Sequence, residues 1–280
     1  QGHRSEAHAK NVMLPIAVDK LDAVVLSHAH IDHSGRLPFL VARGYAGRIW
    51  ATAATRDLSM LMLADSAHIQ EKDADFLARH VRAAEQPFYT LRDAARGADL
   101  MVGVPYNQAF DVVPGVRATF VEAGHIVGSA SVVLDCVEDS RTVRIVFSGD
   151  IGRPGLPLVR DPAPPGGAQV VIMESTYGNR EHDAIDGNRE ALGRVVREAA
   201  ARGGRVLIPA FAVGRTQEIV YDLHALALAG QIPQVPIYID SPLAVDITSV
   251  FEMHPEWFEY SEDRLRAVTD PLRFPLVHHA

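Results

Sequence analysis

A single cysteine among 280 residues, Cys136, excludes an internal disulfide. It lies in the strand-like segment 131–136 and reads as a buried small hydrophobe. Lysine is almost as scarce, with only Lys10, Lys20 and Lys72, so nearly all positive charge is arginine. A formal net charge of -8 argues against a protein that holds nucleic acid through global basicity. Local contacts survive that exclusion, because arginine grips phosphate with paired N–H groups and a bound divalent cation reverses the field around it. No apolar run approaches the length needed to cross a bilayer, and the chain opens on neither a basic nor an apolar leader. The expectation is no membrane and a cytoplasmic address.

What is present is a globular composition, 48% hydrophobic, with strands and helices in alternation, which indicates an α/β fold. Apolar runs predict strands at 23–26, 48–51, 117–122, 130–137, 142–148, 168–173, 205–209 and 235–239, with 168–173 buried. Helical spacing predicts helices at 34–43, 55–84, 188–201 and 216–229. The last portion has its own β-α-β rhythm, which places a domain boundary near 182–187: residues 1–181 form one domain and 182–280 another. Gln1 is not a methionine and the chain stops within an apolar-polar segment, so a fragment is expected.

The strongest chemical signal is His28-Ala-His30-Ile-Asp32-His33, directly after the apolar strand 23–26. His28 and His30, two apart on extended backbone, point the same way, whereas Asp32 and His33 sit where the chain bends and can face a second ion. The pattern indicates a dinuclear metal site. His125, flanked by Gly124 and Gly128 between two strands, is a credible third ligand beside His28 and His30. A lone histidine is more often an ordinary loop residue; the earlier cluster raises the metal reading above that. Asp150 ends the strand 142–148 through Ser148-Gly149, where a carboxylate is costly unless paired or bound to metal, so it is the expected bridging ligand. Taken alone it would be a turn aspartate. Glu174 closes 168–173, and chemistry collects at strand ends in α/β proteins. Arg215 and Gln217, just after a strand and at a helix start, are candidate substrate contacts, with a role in domain packing at least as ready an explanation.

His-x-His-x-Asp-His, the glycine-flanked His125 and the Ser-Gly-Asp strand end together resemble the metallo-β-lactamase superfamily. Residues 174–180 (Glu-Ser-Thr-Tyr-Gly-Asn-Arg), 208–218 (Ile-Pro-Ala-Phe-Ala-Val-Gly-Arg-Thr-Gln-Glu) and 239–244 (Ile-Asp-Ser-Pro-Leu-Ala) are similar to its β-CASP branch of nucleic-acid-processing nucleases. The resemblance implies an αββα sandwich with an inserted, here partial, β-CASP α/β domain. It implies two Zn2+: His28, His30 and His125 on one, Asp32 and His33 on the other, and Asp150 bridging. It further gives Asp32, Asp150 and Glu174 catalytic roles, with Glu174 supporting a histidine near the leaving group. One aspartate-bearing strand of the family is expected before Gln1 and two histidine-bearing motifs after Ala280, which would leave the second zinc one ligand short and the general acid outside this segment.

The implied activity is hydrolysis of phosphodiester bonds in single-stranded RNA, with two ions activating water and stabilising the departing oxygen. A small-molecule hydrolase of the same fold, such as a thioesterase or lactonase, is the first rival. A non-catalytic scaffold subunit of an RNA-processing complex is the second, disfavoured by the intact ligands. Sequence leaves a homodimer open.

Overall fold

A computed structural model describes residues 10–80, 86–181, 187–255 and 271–279. The expected boundary falls almost entirely on 182–186, outside the described residues, as does the end of the 55–84 helix. The chain divides into two compact units, one of residues 1–121, 128–149 and 165–172, the other of 122–127, 150–164 and 173–280.

The first unit carries two sheets. In one, β1 (Val24–Val25), β2 (Ile49–Ala51) and β3 (Met101–Gly103) are all parallel, Val24 opposite Ile49 and Ile49 opposite Met101. Parallel neighbours need crossovers, and helices supply them: Ile31–Ser34 and Leu37–Ala42 before β2, Ala53–His80 and Leu91–Asp99 before β3. The second sheet has the order β4 (Phe110–Val113), β5 (Val116–Glu122), β6 (Ala130–Glu138), β7 (Arg141–Phe147) and β8 (Val170–Ile172). The β6–β7 hairpin is antiparallel, and its turn uses Asp139 and Ser140 at φ 45° and 68°. Leu26, Phe39, Tyr45, Ile49, Leu63 and Met101 form one core cluster, and Trp50, Phe120, Ala130 and Val132 another. Each fully buried side chain of this size is worth about 1.5–3 kcal/mol against exposure.

In the second unit β9 (Ile237–Ile239) pairs in parallel with β10 (Val277–His279). The helices Asn188–Ala201 and Arg215–Leu228 bury Val196, Leu223 and Leu226 with Ile232. The helix Pro242–Met253 begins with Ser241 Oγ accepting from Ala244 N at 3.2 Å and Pro242 in its first turn.

The structure departs from the sequence expectations at several elements. The single helix at 34–43 is two short ones, because the stretch holding Asp32 and His33 is already helical and Pro38 opens a new start. The strand expected to be buried at 168–173 is β8, with Val171 58% exposed: among the described residues its one strand neighbour is β7, so its apolar composition signalled pairing, not burial. Residues 205–209 form no strand, and Leu207 is 92% exposed; an apolar run needs a ladder partner to become a strand. Cys136 is half-buried.

Candidate metal centre

β1 is extended by one bond, Leu26 N–H to Trp50 O at 2.8 Å, and ends by delivering Ser27 and His28. Ser27 O accepts from Ala130 N at 2.8 Å, fixing that end to β6. His28 is wholly buried, with its Nδ1 3.2 Å from Ser27 Oγ. Ser34 Oγ donates to Ala29 O at 2.8 Å and to His30 O at 3.1 Å, folding 28–34 back on itself with Ala29 fully buried. The His28 ring meets His30 edge-on at 5.0 Å and His33 at 4.1 Å between centroids. One histidine-rich turn is thus packed around its own backbone.

His125 and Asp150 are held by crossing main chains. Gly152 N donates to Ala123 O at 2.8 Å, and a Cβ on Gly152 would stand 1.6 Å from Gly124 O, so only glycine admits this crossing. Gly124 itself is at φ 65°, with its N–H donating to Glu122 Oε1 at 2.9 Å. His125 Nε2 then lies 3.6 Å from Asp150 Oδ2.

Glu174 sits beside this pair. One carboxylate oxygen accepts from Ile151 N at 2.9 Å and the other from Thr176 N at 3.3 Å. Burial pushes the Glu174 carboxyl up, but the bonds from Ile151 and Thr176 and the nearby His125 outweigh it and hold the group below its ordinary range. An ionised Glu174 accepts and orients; it is not a proton donor near neutral pH.

The donor atoms of His28, His30, His125 and Asp150 all lie within 4.8 Å of one another. Three imidazoles and a carboxylate make a donor set that suits a divalent ion of intermediate softness, so the residues present fit a metal. Asp32 and His33 are not drawn into that group. They lie 3.7 Å apart in the Ile31–Ser34 turn, Asp32 at 61% exposure and His33 at 23%.

The remaining candidates sit at the start of the Arg215–Leu228 helix. Arg215 is exposed, with Nη1 2.9 Å from Glu218. Gln217 is 1% exposed and spent internally: Oε1 accepts from Gly214 N at 2.9 Å, and Nε2 faces Ala212 O at 3.1 Å, Thr248 Oγ1 at 3.1 Å and Ala244 O at 3.4 Å. That placement favours the packing role over the substrate contact, with Gln217 anchoring the 212–214 loop. Sequence reasoning passed over Glu122, Ser34 and Gly152. Glu122 and Gly152 had a signal, a glutamate two before Gly124 and a glycine two after Asp150.

An α/β fold with a His-rich turn after its first strand, and with His125 and Asp150 completing an N3O donor set, is the framework of a metal-binding hydrolase-type protein. The metallo-beta-lactamase superfamily model matches residues 9–210, and the Beta-Casp domain model matches 216–280. The chain belongs to the metallo-β-lactamase superfamily and carries a β-CASP domain match. It is 34% identical over 248 residues to the transcription termination factor FttA of Methanothermobacter thermautotrophicus, covering 86% of this chain and 36% of that protein. It is 33% identical over 248 residues to ribonuclease TTHA0252 of Thermus thermophilus, covering 89% of this chain and 52% of that one. The chain therefore spans between about a third and a half of these relatives. A structure described as a protein of unknown function from Enterococcus faecalis aligns over 92% of the chain and 54% of its own at 14% identity and TM-score 0.43.

Proposed function

We propose that this chain supplies the metal-binding half of a ribonuclease acting on single-stranded RNA. The observation that carries the reading is the convergence of His28, His30, His125 and Asp150 in a chain whose following segment matches the Beta-Casp domain. Relatives named as a ribonuclease and as transcription termination factors support RNA as the polymer acted on. Zinc is the ion we assign, and two of them: Asp32, His33 and Asp150 are the residues that would hold the second. When bound, the ions supply positive charge for the transition state and acidity for the attacking water.

The protein's own groups set the geometry. His28, buried and oriented by Ser27, holds its ring in one attitude, and His125 and Asp150 are spaced by the Gly152 crossing. Glu174, ionised, clamps the Ile151 N–H and so fixes the residue next to Asp150. We take Arg215, exposed at a helix N-terminus beside Glu218, as the phosphate contact. We take residues 1–181 and 182–280 as the two family domains and the cytoplasm as the site of action. No helix among the described residues is long and apolar enough to cross a membrane.

The test is a substrate panel on the full protein carrying this chain, at matched metal, comparing labelled single-stranded RNA with thioesters and lactones. Cleavage of RNA alone is expected. Turnover of a thioester or lactone with RNA untouched would replace the reading with a small-molecule hydrolase, and a metal-loaded protein inert to all three would make it a scaffold.

A further inference from the structure

Directly after Glu174 the chain makes a tight double turn, Gly178 N–H to Ser175 O at 3.0 Å and Arg180 N–H to Tyr177 O at 3.2 Å. This turn brings the Arg180 guanidinium over the Tyr177 ring, 4.4 Å from its centroid. Tyr177 is 43% exposed, so the stacked pair presents an aromatic and cationic surface to solvent. Its position is anchored from the metal side: Thr176, the preceding residue, donates its N–H to Glu174, whose other oxygen holds Ile151 next to Asp150. Three residues of chain place the Tyr177 Cα within about 11 Å of that of Glu174.

A net charge of -8 means that affinity for a polyanion must come from particular arginines near the chemistry, not from the surface as a whole. A π-face with a guanidinium stacked on it meets both parts of a nucleotide, since any base can stack on it without hydrogen-bond readout and the guanidinium edge remains for phosphate. We propose that Tyr177 and Arg180 form a nucleotide shelf beside the metal centre: one base of single-stranded RNA stacks on the pair and Arg180 takes an adjoining phosphate. The shelf rests on the ribonuclease reading. It makes Tyr177 and Arg180 positioning residues that seat the strand.

The test uses the full protein carrying this chain, loaded with metal, and steady-state cleavage of a labelled single-stranded RNA. Tyr177→Ala should raise KM about 5- to 150-fold with kcat within about twofold, and Tyr177→Phe should behave as the parent. Arg180→Ala should weaken RNA binding for every sequence and lower the slope of log K against log salt by about 0.7, one phosphate's share. With abasic sites placed one at a time along the RNA, one position should cost the parent the same factor, and Tyr177→Ala should lose nothing more there. Should Tyr177→Ala not fold, Tyr177→Phe, the abasic series on the parent and the Arg180→Ala salt slope decide. A parent that cleaves RNA while Tyr177→Ala keeps the parental KM, or an abasic series with no sensitive position, overturns the shelf alone. A metal-loaded parent that cleaves no RNA overturns the nuclease reading, and the shelf with it.

Discussion

Gln217→Ala should destabilise the protein by about 3–5 kcal/mol, and the sum follows from what its amide touches. The Gly214 N–H loses its acceptor, and the Ala212 carbonyl and Thr248 hydroxyl lose a donor. Ala244 O keeps the Thr248 hydroxyl at 2.8 Å and so loses little. Three weakened groups at about 1 kcal/mol each, the low end because the loop end is partly solvated, give about 3 kcal/mol. The void left by the amide in a site 1% exposed adds the remainder. Gln217→Met fills most of that space yet makes none of the bonds, so it should cost about 2–3 kcal/mol, and the difference between the variants measures the void. Gln217→Glu keeps an acceptor for Gly214 but turns a charge toward the Ala212 carbonyl and should be worse than Met. Urea unfolding at constant m-value is the assay. A Gln217→Ala variant within about 0.5 kcal/mol of the parent would refute the anchor role, and if it also bound RNA poorly it would return Gln217 to the substrate.

Gly152→Ala should disrupt the His125–Asp150 spacing, since its Cβ would stand 1.6 Å from Gly124 O; bound metal should fall sharply while far-UV circular dichroism changes little, and full metal retention would contradict the crossing. Burial raises the Glu218 carboxyl, with Arg215 pulling against it, so the folded state binds more protons than the unfolded one from about pH 4.5 up to the raised value. Stability contributed at Glu218 therefore falls as pH rises through that window, and Glu218→Gln should gain on the parent over the same range; a stability difference that does not vary with pH, or that runs the other way, would refute it.

How far the sequence could be read depended on whether the signal was local. The helix Asn188–Ala201 has the bounds its apolar spacing predicts, because helix hydrogen bonds lie within the segment. Val206, Leu207 and Ile208 misled for the opposite reason, since a strand's bonds depend on a distant partner that no local pattern reveals. Leu91–Asp99 and Pro242–Met253 fall outside the expected helices although their starts carry local signals, the Thr90–Asp93 capping box and the Ser241-Pro242 pair. At the metal centre, His28, His30, His125 and Asp150 were legible as donor types after strands, and the fold brings all four together. The glycine crossing that spaces two of them was not legible, because it joins main chains that are neighbours only in the fold. Gln217 sat in a motif-like segment next to an exposed arginine, and only its burial separates the two roles.

Whether His28, His30, His125 and Asp150 hold a divalent metal is tested most directly by elemental analysis of a folded double variant. The parent protein should carry divalent metal in stoichiometric amount, and the His28→Ala/His125→Ala protein, folded by circular dichroism, should lose the ion these residues share. Undiminished metal in that folded double variant would show that the donor set is not the site.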